Sequence, residues 1–304
     1  MTKTEATARV TKLKKEINHH RYLYHVKDTQ EISDAALDSL KRELDTLELE
    51  YPDLVTSDSP TQRVGGEPLA EFSKVRHRTR MLSLQDAFSV EDLMNWETRN
   101  KKVVAQDFSY FVELKIDGVA VALQYQDGVL VRAATRGDGS VGEDVTHNIR
   151  TIDAIPLTLR EKIPGPVEVR GEVYMLKKEF DALNKEQGKK QAKLYANPRN
   201  VVAGSIRQLD PSQVASRPLR FFAWEITAGD GSTTRAAEYK ALQDLGFPVP
   251  PDAAKLATIK DVAKLIDGEE KKRLKRPFLV DGLVLKIDDL ALSERLGVVG
   301  KAPR

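Results

Sequence analysis

The 304-residue sequence contains no cysteine. This absence excludes disulfide bonds, thiolate metal sites and thiol catalysis. Long apolar runs are also missing, since no stretch approaches the roughly 18 apolar residues of a membrane span. Residues 1–5 lack the apolar segment that characterises a secretory signal. We therefore expect a cytoplasmic protein with no membrane partner.

Neither sign of charge dominates the sequence. The 48 Lys and Arg residues nearly balance the 46 Asp and Glu residues, so the formal net charge is only +2. This balance does not predict a nucleic-acid partner, although it permits a local basic patch. The composition is otherwise that of a globular protein with enough apolar residues to fill a core.

The first 60 residues have the pattern of a helical unit. Apolar side chains recur there at helical spacing, namely Val10, Leu13, Ile17 and Tyr24. A second helix is predicted to begin after Ser33, a favourable N-cap residue, and to end at Tyr51. Its apolar stripe consists of Leu37, Leu40, Leu44 and Leu47. Two such helices with a short connection form a small unit of their own.

A turn-rich segment follows the two helices. It runs from Asp58–Thr61 to Gly65–Pro68, and its Gly and Pro residues favour a linker. A chain of 304 residues is also long for one compact core. We therefore predict a small helical unit over residues 1–68 and a larger domain over residues 69–304.

From about residue 107 the apolar period changes to two, which predicts strands. The predicted strands cover residues 108–117, 119–125, 129–135, 167–174, 219–226 and 278–287. Helices are predicted over residues 177–186 and 255–266. Hairpins and isolated strands mixed with helices indicate an α+β fold with a mixed or antiparallel sheet.

The strand predicted over residues 108–117 carries the most informative side chains. Its apolar residues alternate to one face, whereas Glu113, Lys115 and Asp117 share the other. A lysine between two carboxylates, close to the turn at Gly118, is a candidate nucleophile. An exposed strand face stabilised by cross-strand charge pairs would show the same alternation. This motif alone leaves both interpretations open.

Three further motifs present the same choice between a ligand site and an ordinary surface. The loop Arg136–Gly142 would let backbone N–H groups approach a phosphate, although glycine loops are common turns. Glu168, Arg170 and Glu172 share one face of a predicted strand. A second lysine, Lys286, lies on the last predicted strand. Together and in this order, the four motifs favour a binding site over four unrelated surface features.

These motifs resemble those of NAD-dependent bacterial DNA ligases. The matching nucleotidyltransferase motifs are Glu113–Gly118, Ala134–Gly139, Glu168–Glu172 and Asp281–Lys286. Further matches are Tyr22–His25, Asp58–Gly65, Met81–Leu84 and Ala196–Asn200. A Lys-x-Asp-Gly motif also fits ATP-dependent ligases and capping enzymes. The helical head with its Tyr-His pair distinguishes the NAD-dependent family.

The resemblance implies that Lys115 attacks the α-phosphorus of NAD, forms a lysine–AMP phosphoramidate and releases nicotinamide mononucleotide, with Mg²⁺ as the assisting ion. For the adenosine half, the resemblance implies that Glu113 contacts the adenine and Trp224 stacks on its face. It places Asp117 and Arg136 at the ribose, Glu172 at the ribose and metal side, and Lys286 at the α-phosphate. Ser83 and Leu84 would lie in the nucleotide pocket. For the nicotinamide half it implies Tyr24, His25, Asp34 and Asp38. Nicked double-stranded DNA would contact Arg199 and Arg207, and no residue is assigned as a metal ligand.

The sequence departs from the family pattern in two places. Leu37 stands where the family usually has tyrosine, so nicotinamide recognition is expected to be weaker or differently arranged. The sequence ends at Arg304, where the family continues with a strand ending in another lysine, an OB-fold, a cysteine zinc module and a helix-hairpin-helix region. We therefore expect a C-terminally truncated adenylation part of a ligase. Loss of that last lysine should weaken the adenylation step.

Three hypotheses on function follow from the sequence. The first is a monomeric enzyme that adenylates Lys115 from NAD in the service of DNA ligation. The second is a fragment that binds NAD without turnover, because the last motif is absent. The third is a transferase of the same superfamily that uses ATP or acts on RNA. The helical head favours NAD.

Overall fold

The computed structural model describes residues 1–27, 29–63, 71–228 and 231–304. Its helices of five or more residues are α1 Lys3–His25, α2 Asp34–Glu50, α3 Val90–Val104, α4 Thr146–Arg150, α5 Lys177–Lys189, α6 Pro198–Ile206, α7 Pro211–Ala215, α8 Arg235–Asp244, α9 Ile259–Arg273 and α10 Leu290–Leu296. Its strands are β1 Lys74–Arg76, β2 Tyr110–Ile116, β3 Val119–Gln126, β4 Val129–Thr135, β5 Val141–Glu143, β6 Pro166–Tyr174, β7 Arg220–Ala228, β8 Ala254–Leu256, β9 Val280–Ile287, β10 Val298–Val299 and β11 Ala302–Pro303. None of the described helices is long and apolar enough to span a membrane.

The two N-terminal helices form the predicted helical head. Thr2 caps α1 in a capping box with Glu5, and the Ser33 side chain accepts from the backbone of α2 as the sequence predicts. The predicted apolar stripes meet in one cluster, formed by Val10, Leu13, Ile17, Leu44 and Leu47. The predicted boundary near residue 68 falls outside the described residues.

Two antiparallel sheets follow the head. The larger has the strand order β4-β3-β6-β7, and a three-stranded sheet has the order β8-β2-β9. Every described pairing between named strands is antiparallel. The α+β prediction is therefore confirmed, and the predicted strands and the hairpin between β3 and β4 are present.

The main apolar core lies against the four-stranded sheet. Leu123, Val169 and Phe221 are fully buried on β3, β6 and β7, and Val202 of α6 packs with them. Burial of each such side chain contributes roughly 1.5–3 kcal/mol relative to exposure. Phe111 of β2 belongs to the same core, so the face of β2 that carries it turns toward the larger sheet.

The helix predicted over residues 255–266 is wrong at its start. Leu256 lies in β8 and pairs with Tyr110 of β2, and α9 begins only after Thr258, whose side chain caps it. Leu256 and Ile259 have the spacing of a helical face, so periodicity alone placed both on one helix. The Thr258 cap with Asp261 at N3 was the local indication of the true start.

The head attaches to the larger domain through its C-terminal segment and α1. Buried Arg63 donates to three backbone carbonyl oxygens within the segment 150–155, at 2.9–3.0 Å. Arg21 on α1 forms an ion pair with Asp153. A guanidinium has five donors in a fixed geometry, so Arg63 fixes the orientation of the segment it contacts.

Candidate active site

The register of β2 against β9 assembles the centre of the site. Lys115 lies opposite Gly282, Glu113 lies opposite Val284, and Lys286 pairs two residues further along. Side chains at these alternate positions share one face of the sheet. A Cβ added to Gly282 would meet no other atom within 4 Å. The face beside Lys115 is therefore open, whereas a larger residue at position 282 would fill it.

Lys115 forms an ion pair with Asp281 across the two strands. The register shifts between Lys115 and Ile116, so Asp281 is the extra residue of a β-bulge and its side chain is redirected toward the lysine. The hydrogen bond from Lys115 lowers the pKa of Asp281. Sequence reasoning assigned no role to Asp281, because alternation alone places it on the opposite face from Lys286.

Glu172 of β6 completes the acidic side of the site. Burial raises the pKa of Glu172 to about 8, against the opposing attraction of cations that include Arg199 and Lys115. The turn at Gly118 is pressed against β6, since a Cβ there would lie 2.2 Å from the Val173 carbonyl oxygen. This close approach brings the Lys115 strand beside Glu172.

Arg136 begins the predicted glycine loop and reaches back to residue 83. One guanidinium nitrogen of Arg136 lies 2.8 Å from the Ser83 hydroxyl, whereas Leu84 is exposed. His77 Nε2 lies 3.1 Å from the Thr135 carbonyl oxygen and 3.2 Å from that of Arg136. Buried His77 thus supports the backbone that carries Arg136, a role that nothing in the sequence indicated.

Glu113 is almost fully buried, contrary to the outward position that strand alternation suggested. It is only 4% exposed, and its carboxylate lies 2.7 Å from Lys286 Nζ. The Tyr239 hydroxyl donates to its other oxygen. Lys286 Nζ also lies 5.2 Å from the centre of the Trp224 ring. Glu113, Lys286 and Trp224 therefore lie together, as the sequence predicted, and Tyr239 is an additional member.

Comparison with known proteins shows the family to which this chain belongs. A family model described as "NAD-dependent DNA ligase adenylation domain" matches residues 69–304, and one described as "DNA ligase-like, N-terminal NAD+-binding domain" matches residues 3–65. The chain belongs to the NAD-dependent DNA ligase family. It carries the adenylation domain and the N-terminal NAD⁺-binding domain of that family.

Curated relatives agree with this membership. A DNA ligase from Syntrophomonas wolfei is 47% identical over 99% of this chain and 45% of its own length. A DNA ligase from Bacillus subtilis is 46% identical over 100% of this chain and 46% of its own length. The chain therefore spans about half the length of these two DNA ligases.

Two of the solved structures that resemble this chain are distant likenesses. The mycobacterial DNA ligase D complexed with ATP and MES has a TM-score of 0.33 and 15% identity over 60% of this chain and 49% of that chain. A structure named Pmar-Lig_Pre. has a TM-score of 0.41 and 11% identity over 82% of this chain and 47% of that chain.

The residues predicted for the nicotinamide half lie apart from this ligase pocket. Tyr24 is 49% exposed, and His25 Nε2 lies 3.6 Å from Asp153. Asp34 accepts from Gln30 at 3.0 Å, and Asp38 pairs with Lys41 at 3.2 Å, which are pairs within the head. In the described part of the chain, no hydrogen bond or ion pair joins these four residues to Lys115, Glu113 or Lys286.

The unusual Leu37 has a structural place in the head. It packs against the apolar cluster between α1 and α2. The leucine therefore contributes to the helix packing, and its apolar side chain offers no hydrogen bond to a ligand.

Burial, followed by the nearby cations Arg21 and Arg63, lowers the pKa of His25 to about 3, so this imidazole is neutral at physiological pH.

The two arginines predicted for DNA lie on or beside α6. Arg199 lies 3.6 Å from Asp117, and Arg207, just after the helix, lies 3.1 Å from Glu143. Asn197 caps this helix, so the motif Ala196–Asn200 forms the start of α6. Both arginine side chains remain more than half exposed. Arg199 therefore reaches the edge of the pocket while its charge stays accessible to solvent.

Three carboxylates belong to the surroundings of Lys115. Asp281 pairs with it directly, and the charges of Lys115 and Asp117 both act on Glu172. A separate group on the head consists of His19, His20 and Glu31, whose ligand atoms lie within 4.8 Å of one another. Residue spacing did not predict this group, because Glu31 comes close to the two histidines only where the chain turns after α1.

Proposed function

We propose that this chain catalyses the transfer of the adenylyl group of NAD to Lys115. The Nζ lone pair of Lys115 attacks the α-phosphorus, an N–P bond forms, and the bond from that phosphorus to the bridging oxygen breaks. Nicotinamide mononucleotide leaves with the electron pair, and the amine loses a proton. The position of Lys115, facing the open space over Gly282, is the observation that carries this proposal.

Lys115 must lose its proton before it can attack. Asp281 is paired with this amine, so the ion pair must open before Lys115 can attack, and another cation could take over the carboxylate. Asp117, Glu172 and Asp281 would hold Mg²⁺ in our proposal. When bound, Mg²⁺ would offset their charge, favour the neutral amine and stabilise charge on the phosphoryl oxygens.

The adenosine half of NAD would be held by the side chains around this lysine. Lys286 would face the α-phosphate as a point charge, and Arg136, held by Ser83, would contact the ribose together with Asp117. Trp224 would stack on the adenine and Glu113 would lie at its edge. Leu84 would contribute apolar surface at the rim. Preorganised cations of this kind stabilise charge that develops during phosphoryl transfer.

The nicotinamide half requires a different arrangement of the head. Tyr24, His25, Asp34 and Asp38 would bind it only after the contacts that hold α1 at Asp153 are exchanged for contacts with the ligand. We infer that NAD binding draws the head over the pocket. The family models support NAD as the substrate, and the exposed position of Tyr24 leaves it free to meet a ligand.

The adenylyl group would then pass to the 5′-phosphate of nicked double-stranded DNA. Arg199 and Arg207 are the proposed phosphate contacts, because both are exposed cations at the pocket side of α6. Complete nick sealing belongs in this proposal to the longer ligases, of which the chain spans about half. We also propose that the chain acts as a cytoplasmic monomer.

Intact-protein mass spectrometry after incubation with NAD and Mg²⁺ tests the first step. The wild-type chain should gain the mass of one adenylyl group, and Lys115→Ala should gain none. ATP in place of NAD should give no adduct. If NAD raises the melting temperature without any mass gain, the chain is a binding module and the catalytic proposal is wrong.

A further inference from the structure

Three side chains form the most deeply buried polar contact of the pocket. Both carboxylate oxygens of Glu113 are engaged, one by the Tyr239 hydroxyl and one by Lys286 Nζ at 2.7 Å. Glu113 is 4% exposed and Tyr239 is 6% exposed. A buried carboxylate is costly unless it is paired and hydrogen-bonded. The three groups therefore fix one another's positions.

Glu113 is the carboxylate that balances the charge of Lys286. Lys286 Nζ lies 2.7 Å from Glu113 and 3.4 Å from the Trp224 carbonyl oxygen. The adjacent carboxylate, Glu225, is already paired with two arginines at 3.1 and 3.2 Å. The position of Lys286 beside the Trp224 ring thus depends on the orientation of Glu113.

Tyr239 has a fixed orientation because α8 is anchored in the main core. Its ring contacts Phe111 of β2 at 4.7 Å between ring centres, with the planes inclined by 60°. Burial, and next the neighbouring Glu113, raise the pKa of Tyr239 well above its usual range, so the phenol keeps its proton. The hydroxyl is therefore a permanent donor directed at Glu113.

We propose that Tyr239 is a positioning residue of the nucleotide pocket: its hydroxyl orients Glu113, and Glu113 in turn holds Lys286 beside Trp224 where a phosphate would bind. This inference rests on the proposed function, because it takes the α-phosphate as the ligand of Lys286. Each oxygen of Glu113 keeps a second lone pair. Contact between Glu113 and the adenine edge is therefore compatible with the positioning role.

Tyr239→Phe removes the donor and keeps the ring. Under single-turnover conditions we expect the rate constant of Lys115 adenylation to fall about tenfold at saturating NAD, the size expected for one hydrogen bond to a charged group. The NAD concentration for half-maximal rate should rise as well, because Lys286 would face the phosphate in bound NAD before the reaction. Tyr125→Phe is the matched control, because Tyr125 is also buried and donates to the Pro156 carbonyl oxygen at 2.7 Å. The control should keep the wild-type rate constant.

A double-mutant cycle tests whether Tyr239 acts through Lys286. Lys286→Gln should slow adenylation, and adding Tyr239→Phe to it should cause no further loss. Independent, multiplying effects of the two substitutions, or an unchanged rate constant in Tyr239→Phe, would overturn the proposal.

NAD affinity provides a second readout if Lys286→Gln forms too little adduct to measure. Calorimetry in the Lys115→Ala background, which cannot turn over, should show the same non-additive pattern for the two substitutions. Additive losses of affinity there would also reject the positioning role. An absence of adduct in the wild type would remove the proposed function, while the affinity cycle would still decide the role of Tyr239.

Discussion

The two halves of the proposed dinucleotide site differ in how far they are assembled. Strands distant in sequence bring Asp281 into contact with Lys115, and Lys286 into contact with Glu113. In the head, Arg21 pairs with Asp153 of the larger domain, His25 lies 3.6 Å from the same carboxylate, and Tyr24 is exposed. One half is fixed by strand register, whereas the other depends on where a separate helical unit lies.

This difference follows from the kind of structure that carries each half. Strand pairing fixes the side chains of β2 and β9 at the repeat of the sheet, and Phe111 of β2 is buried in the main core. The head has its own small core, and it contacts the larger domain through Arg63, Arg21, Asp58 and Tyr22. Such a unit can be repositioned when these contacts are lost, which suits a part that must admit and release a substrate.

A side chain added to the open space beside Lys115 should have the largest effect on the adenylation rate. Gly282→Val places a side chain in the open space opposite Lys115, at a position where an added Cβ meets no atom within 4 Å. We expect adenylation to fall by about 100-fold or more, since small displacements in a reacting geometry have effects of this size. Single-turnover mass spectrometry checks this, with Gly268→Ala as the control on α9, where a Cβ is also unopposed. A normal rate in Gly282→Val would place the nucleotide elsewhere.

Weakening the attachment of the helical head should lower stability more than it lowers the rate of adenylation. Arg63→Ala leaves three backbone carbonyl oxygens without their donor in a buried site. We expect a loss of about 3 kcal/mol in the free energy that holds the head in place. Limited proteolysis after residue 63 and urea unfolding measure it. Arg9→Ala, which breaks an ion pair with Glu43 at the surface of the head, should have little effect.

The sequence predicted more of the assembled half than of the head. Strands β2, β3 and β4 follow from alternation and a hairpin turn, and α1 and α2 follow from caps and apolar spacing. Asp281 and Tyr239 were missed because their roles come from a β-bulge and from packing of a distant helix. The contacts of Arg63 could not be predicted from the sequence, because its partners are backbone carbonyl oxygens, which every residue type carries.

The two halves should also respond to pH in opposite directions. Burial raises the pKa of Glu172 to about 8, so the folded chain keeps a proton there that the unfolded chain has lost. Stability from this group therefore falls as the pH rises from the ordinary carboxyl value toward 8. Glu172→Gln should stabilise the ligand-free protein by about 2 kcal/mol at pH 8.5 and by much less at pH 4.5. Urea unfolding at the two pH values checks this, and equal stabilisation at both would contradict it.

His25 should give a smaller effect of opposite sign. Its pKa in the folded chain is about 3, lowered by burial and then by Arg21 and Arg63. The unfolded chain binds a proton at this imidazole below its ordinary pKa of roughly 6.5, and the folded chain does not, so stability falls as the pH drops from 6.5 toward 3. When the pH falls from 7 to 5, the wild type should lose about 1–2 kcal/mol more stability than His25→Gln. Thermal unfolding at these two pH values, with exposed His19→Gln on the same helix as the control, measures the difference. If His25→Gln and the wild type lose the same stability between pH 7 and pH 5, the head does not bury this imidazole in solution. The head would then lie away from Asp153 before any nucleotide binds.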